Sequence, residues 1–353
     1  MRELPVHREG IVSAQYRGVQ PVLALLLLAV VVASARWGAV PITTQEMWHA
    51  LRGAVSGAPH VASLNERIFL EIRLPRALLA ALVGGSLAVG GVLMQALFRN
   101  PIVEPGLVGT SSGAALGAAL YFVVGAQWRV HAGAFTLPLA ACVGAGLATW
   151  LVFTLARTAA GGRNSVVAML LTGIAVNALC ASGVGFLSYI ARDPQARSIT
   201  FWNLGTLAGA NWTTLGVVSV TTLVGVAVGL RHARALNALM MGEEEARYLG
   251  VDVRRLRVAV LVGNVVMVAV ATAFTGVIAF VGLVVPHLLR LWRGADTRYL
   301  LRGSALAGGI LLGLADLAAR LLVSPAELPI GIVTSAVGVP VFLVLLRKRD
   351  AFF

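Results

Sequence analysis

The chain has 353 residues, 58% hydrophobic and only 12% charged, with a mean hydropathy of +0.85. A soluble domain carries about twice that charged fraction, which excludes a water-soluble globular protein. The formal net charge of +13 sits in short connections between apolar runs rather than on one basic face. That argues against nucleic-acid binding and for a membrane protein with asymmetric loops.

A hydrocarbon core of ~30 Å needs about 20 helical residues per crossing. Runs near that length lie at about 18–36, 75–98, 106–124, 133–156, 165–190, 212–230, 257–275, 276–292, 303–322 and 330–347. The expectation is an all-α polytopic bundle of about ten transmembrane helices, forming a single domain over 1–353. A short helix near 200–208 lies outside the spans. Residues 21–35, with Ala33-Ser34-Ala35 before Arg36, also have the form of a signal peptide. The basic start (Arg2, Arg8, Arg17) and the many later spans favour an uncleaved first span. Residues 1–17 are then a cytoplasmic extension.

Alternating the spans from an inside N-terminus puts nineteen of the 28 lysines and arginines inside and nine outside. The bias predicts N-in and C-in. The connection 37–74 is long and external on this topology. It ends at Arg73 and Arg76 around Pro75, which suits the first turn of a helix. Two arginines at a helix N-terminus oppose the macrodipole. Either an external anionic group or snorkelling to lipid headgroups accounts for them.

The connection 231–256 is long and internal. Leu236, Leu239 and Met240 recur at helical spacing, Glu243 and Arg247 are placed for an i,i+4 ion pair, and Gly242 and Gly250 read as helix ends. The pattern predicts two short helices outside the bilayer that dock a partner. Asp316 and Arg320 lie one turn apart inside a span. Intramembrane charges are expensive and usually paired, so an ion pair is expected, and Arg320 is also near enough to the outer face to meet an acidic partner. Glu327 before Pro329 reads as a dipole cap on the last span. Pro286 should kink the eighth span, and His287 beside it reads as a structural hydrogen-bonder. Cys142 and Cys180 read as small buried side chains.

No catalytic residues and no metal ligands are expected. A phosphate-binding loop needs a lysine after a glycine-rich turn, and the single lysine is Lys348. Any ATP that drives this protein binds a separate chain. The 39 glycines suit close helix packing in lipid.

The motifs together resemble the FecCD-type permeases, the membrane subunits of ATP-binding-cassette importers for iron–siderophores, haem and cobalamin. They are Leu74-Pro75-Arg76 leading into Gly91-Val92-Leu93-Met94-Gln95; Arg99-Asn100-Pro101 with Glu104-Pro105-Gly106-Leu107-Val108-Gly109; Phe201-Trp202 through Gly205 to Trp212; Ala246 through Leu249-Gly250; Phe280 through Pro286-His287; and Glu327-Leu328-Pro329-Ile330-Gly331. The resemblance covers about residues 20–348. It implies a homodimer with a pathway between the copies, two ATPase subunits that carry ATP and Mg, and a periplasmic substrate-binding protein, all in the inner membrane. It places docking of the binding protein on Arg73, Arg76 and Arg320. It places ATPase coupling within 231–256, on Leu239, Met240, Gly242, Glu243, Ala246, Leu249 and Gly250. Arg197 through Leu207 looks most like the haem branch. The rival is an ion-coupled secondary transporter, for which Asp316 is the candidate carboxylate.

Overall fold

The computed structural model describes residues 18–38, 40–56, 63–125, 133–159 and 166–347. The extension 1–17 with its three arginines, and Arg129, Arg163, Lys348 and Arg349, lie outside the described residues. In chain order the helices are α1 (Val19–Arg36), α2 (Thr44–Ser56), α3 (Leu64–Phe98), α4 (Thr110–Leu120), α5 (Thr136–Ala159), α6 (Val166–Ile190), α7 (Asp193–Leu204), α8 (Trp212–Met241), α9 (Glu243–Tyr248), α10 (Val253–Thr275), α11 (Val281–Arg293), α12 (Thr297–Leu321) and α13 (Ile330–Arg347). No strand occurs among the described residues. Backbone polar groups in lipid must be satisfied within the segment, which a helix achieves.

Seven helices are long and apolar enough to cross a membrane: α1, α3, α5, α6, α8, α10 and α12. Thr110–Gly125 and Ile330–Val344 are shorter apolar helices. The expected eighth span, 276–292, takes a different form. Gly276 and Phe280 have φ of 72° and 68°, so the chain leaves α10 without helical geometry and re-enters a helix only at Val281. The 13 residues of α11 reach ~20 Å, short of a full crossing. The short helix expected near 200–208 is α7, shifted upstream because Asp193 and Pro194 suit a helix start.

The described part of the connection 37–74 is also more than a linker. It contains amphipathic α2, and α3 begins at Leu64 rather than at Pro75. Ser63 and Glu66 form a capping box there. A π turn, Phe69–Arg73, precedes Pro75, where proline lacks the N–H that would bond the carbonyl four residues back. Ala35, Ile42, Met47, Ala50, Phe69 and Ala77 make a satellite core beneath α2. At the start of α2, the Thr43 N–H donates to Glu46 at 2.7 Å, and Asn65 Nδ2 donates to the other Glu46 oxygen at 2.7 Å. The Thr43 backbone bond first, then the Asn65 and Thr43 side chains, hold the Glu46 carboxyl below its ordinary range. This tie between α2 and α3 contributes fully above the ordinary carboxylate range and is lost as pH falls through the lowered folded value.

The hub of the bundle is α3. Its second half is almost wholly apolar, as an enclosed stretch of helix must be, and every residue from Val83 to Phe98 is buried. Around it pack α12, α8, α11, α10 and α1. Helices α4, α5 and α6 form a second layer, joined to the hub through α10. Glycine allows the tightest approaches: a β-carbon at Gly84 would strike the Gly308 carbonyl on α12, and one at Gly91 the Gly282 carbonyl on α11. Overpacking a filled core costs typically 1–3 kcal/mol, and here the obstacle is backbone. Gly91→Val is therefore expected to abolish most monodisperse protein in a detergent size-exclusion profile. A wild-type profile and melting midpoint would show that α3 and α11 are free to separate.

Candidate functional site

The chemistry-bearing residues gather at the two ends of the bundle and in one open pocket. At the first end, α1 finishes, α3 begins and α12 finishes. Asp316 is 0% exposed. Its Oδ2 accepts from Arg320 Nε at 3.0 Å, and its Oδ1 accepts from Arg76 Nε at 3.0 Å and Nη2 at 2.9 Å. Arg76 also donates to both oxygens of Glu327, at 3.0 and 2.9 Å. Arg320 donates to the carbonyls of Ser34 and Trp37 and to the Ser34 hydroxyl. Arg73 donates to the carbonyl of Arg36 at 2.6 Å and to that of Val40.

Three guanidinium groups and two carboxylates thus share one network. Arg73 has no carboxylate in it. The negative end of α1 and the carbonyls beyond it supply its acceptors, as a helix C-terminus does for a cation. The last turn of α1 is therefore tied into the fold by Arg73 and Arg320. Arg73 is 7% and Arg320 9% exposed, so most donors at this end are turned inward. Glu327, expected as a dipole cap, spends its carboxylate on Arg76, and its side chain is 44% exposed. Arg73 and Arg76 do not oppose a helix N-terminus, because α3 starts well before them, at Leu64. Their reason is the acceptors brought by α1 and α12, which no local pattern reveals.

At the second end, α8 does not stop at the membrane boundary expected near residue 230. It runs unbroken from Trp212 to Met241, 30 residues in all, ~45 Å. Gly242, at φ 148°, turns the chain into the six residues of α9, and Gly250, at φ 80°, turns it out again. The two expected glycine breaks are where they were placed, but the first of the two external helices is the end of α8. Glu243 pairs with Arg257 of α10, and more loosely with Arg247 at 3.9 Å. Of the seven residues singled out in sequence, Leu239, Gly242 and Ala246 are buried and shape the turn, Met240 and Glu243 are partly buried, and Leu249 and Gly250 are exposed. Tyr248 is 88% exposed, Leu249 64% and Met241 71%, so the tip formed around α9 presents large apolar side chains to solvent. Tyr248 was not singled out, since exposure depends on how α9 is turned by its glycines. The far end of α8 is tied to the first end of the bundle: Trp212 Nε1 donates to the Leu70 carbonyl in the π turn at 3.0 Å.

An open pocket of about 430 Å³ has Glu104, Ser111, Ser112, Asn177 and Asn203 among apolar neighbours such as Leu107, Val184 and Val277. Glu104 accepts from the Phe280 N–H at 2.9 Å, which holds the non-helical approach to α11. Ser112 donates to Asn177 Oδ1 at 2.5 Å.

The architecture and motifs match known proteins along nearly the whole chain. The FecCD transport family matches residues 26–348. The hemin transport system permease protein HmuU of Yersinia pestis is 43% identical over 332 residues, which is 93% of this chain and 95% of that protein. The cobalamin import system permease protein BtuC of Halobacterium salinarum is 39% identical over 324 residues, 88% of this chain and 83% of that one. A solved structure described as an inward-facing conformation of a metal-chelate type ABC transporter is 32% identical with a TM-score of 0.81, over 94% of this chain and 99% of that chain. The chain therefore belongs to the FecCD transport family.

Proposed function

We propose that the chain is the membrane permease subunit of an ATP-binding-cassette importer that moves haem, or a related iron chelate, inward by alternating access. The 43% identity to a hemin permease over almost the full length of both chains carries this reading. ATP and its Mg sit on two separate ATPase subunits, and two copies of this chain frame the pathway in the inner membrane. The end bearing α9 faces the cytoplasm, because the connections there carry most of the arginines. The exposed Met241, Tyr248 and Leu249 then meet the ATPase, while Leu239, Gly242 and Ala246 hold the tip in shape.

The opposite end receives the loaded binding protein through Arg73, Arg76 and Arg320. Their donors are engaged within the chain, so docking works by exchange. An acidic side chain of the binding protein replaces the exposed Glu327 on Arg76, while Asp316 keeps the Arg76 and Arg320 guanidinium groups in place. Asp316 is held by two arginines, which disfavours it as a proton carrier and with it the ion-coupled rival.

The test is reconstitution. The tagged chain is purified in mild detergent, co-purifying chains are identified by mass spectrometry, and the assembly is placed in liposomes with its binding protein. Haem uptake that requires ATP is the expected result. Recovery of the chain alone, with uptake driven by a proton or sodium gradient, would overturn the importer assignment, and ATP-driven uptake of cobalamin but not haem would change the substrate.

A further inference from the structure

A groove of about 570 Å³ opens between α5, α10 and the last turn of α3. Its wall is apolar, formed by Leu97, Phe98, Trp150, Phe153, Leu261 and Val265. Arginines close one end: Arg157 in the last turn of α5, and Arg254 and Arg257 at the start of α10. The carboxylates nearby are engaged elsewhere. Glu243 pairs with Arg257 and Arg247, while Asp252 caps α10 and pairs with Arg255. Arg157 and Arg254 are exposed and form no ion pair among the described residues.

Two demands meet in this groove. Its apolar wall calls for hydrocarbon, and its rim calls for an anion. The positive end of α10 adds to the rim's potential. A soluble anion would leave the wall wet, and a neutral lipid would leave two guanidinium groups uncompensated. Basic pockets between helices on the cytoplasmic side select anionic headgroups.

We propose that this groove binds an anionic phospholipid of the phosphatidylglycerol class. One acyl chain lies along Phe153, Trp150 and Leu261, and the phosphate sits between Arg157 and Arg254. The site is independent of the cargo and adjoins the Arg257–Glu243 pair that anchors α9.

The proposal is tested with the full chain in phosphatidylcholine vesicles that contain a small fraction of brominated lipid, which quenches tryptophan on contact. Trp150→Phe identifies the groove's share of the signal. Brominated phosphatidylglycerol is expected to quench that share at lower mole fraction than brominated phosphatidylcholine. The double variant R157Q/R254Q should weaken this preference by about 25-fold, at about five-fold for each guanidinium near the surface. R298Q/R302Q removes the same charge from exposed positions at the same end of the bundle and should keep the preference. Equal quenching by the two lipids in the wild type would overturn the site even if no variant folded. So would a wild-type preference in R157Q/R254Q, or an equal loss in R298Q/R302Q, which would mark a diffuse basic surface.

Discussion

Asp316→Asn is expected to lower the stability of the folded chain by roughly 3–5 kcal/mol, the usual consequence of removing one partner from a buried ion pair. Asparagine keeps the shape of the side chain but not its charge. One of its two positions becomes an N–H facing a guanidinium, either Arg76 or Arg320, where a carboxylate oxygen accepts. Arg320 retains Ser34 and Trp37, and Arg76 retains Glu327, yet both lose their shared counter-charge. Glu327→Gln is the matched control. Its partner is the same Arg76, but a half-exposed carboxylate contributes only about 0–1 kcal/mol. Denaturation midpoints in one mild detergent compare the two. If Asp316→Asn falls within 1 kcal/mol of the wild type, the carbonyls at the end of α1 hold the arginines without it. A variant that folds normally yet transports nothing would revive Asp316 as an ion-coupling group. The same geometry makes charge reversal at Arg73 and Arg76 a poor probe of docking, because a glutamate at 76 would face Asp316 and Glu327 and disturb the fold first.

Tyr248→Ala combined with Leu249→Ala should reduce ATP-driven uptake to background and leave the melting midpoint unchanged. Both side chains project from α9 into solvent, so the fold loses little when they are cut back. A central apolar anchor at an interface is worth at least ~2 kcal/mol when truncated, and ~2 kcal/mol is about thirty-fold in affinity. Recovery of the ATPase on the tagged chain reads out the docking step directly. Ala246→Glu is the contrasting change. It buries a charge under the tip and should lower the melting midpoint as well as uptake. Wild-type uptake in the Tyr248/Leu249 double variant would place the ATPase contact elsewhere on this end.

The long crossings were readable because a helix in lipid must be a continuous apolar run, and α3, α5, α6, α10 and α12 are such runs. Breaks within the membrane were less readable. Residues 276–280 are as apolar as a span, and what ends the helix there is backbone geometry at Gly276 and Phe280 with the Glu104 carboxylate as acceptor. Local pairs were legible and distant ones were not. The spacing of Asp316 and Arg320 shows their contact, whereas Arg76 reaches Asp316 across 240 positions. The glycines around α9 marked its ends, but the split between buried Ala246 and exposed Tyr248 depends on the rotation of one short helix. The groove by α5 went unseen for the same reason: Arg157 and Arg254 are far apart in sequence and become neighbours only where α5 meets α10.

The length of α8 has a mechanical consequence. A rigid rod of ~45 Å that tilts by about 5° around its middle swings each end by about 2 Å, in opposite directions. One end of this rod meets Gly242 and the α9 tip, and the other holds the backbone three residues from Arg73 through Trp212. A tilt of α8 against the buried part of α3 would therefore move the α9 tip and the arginine cluster in opposite directions, with α8 as the lever.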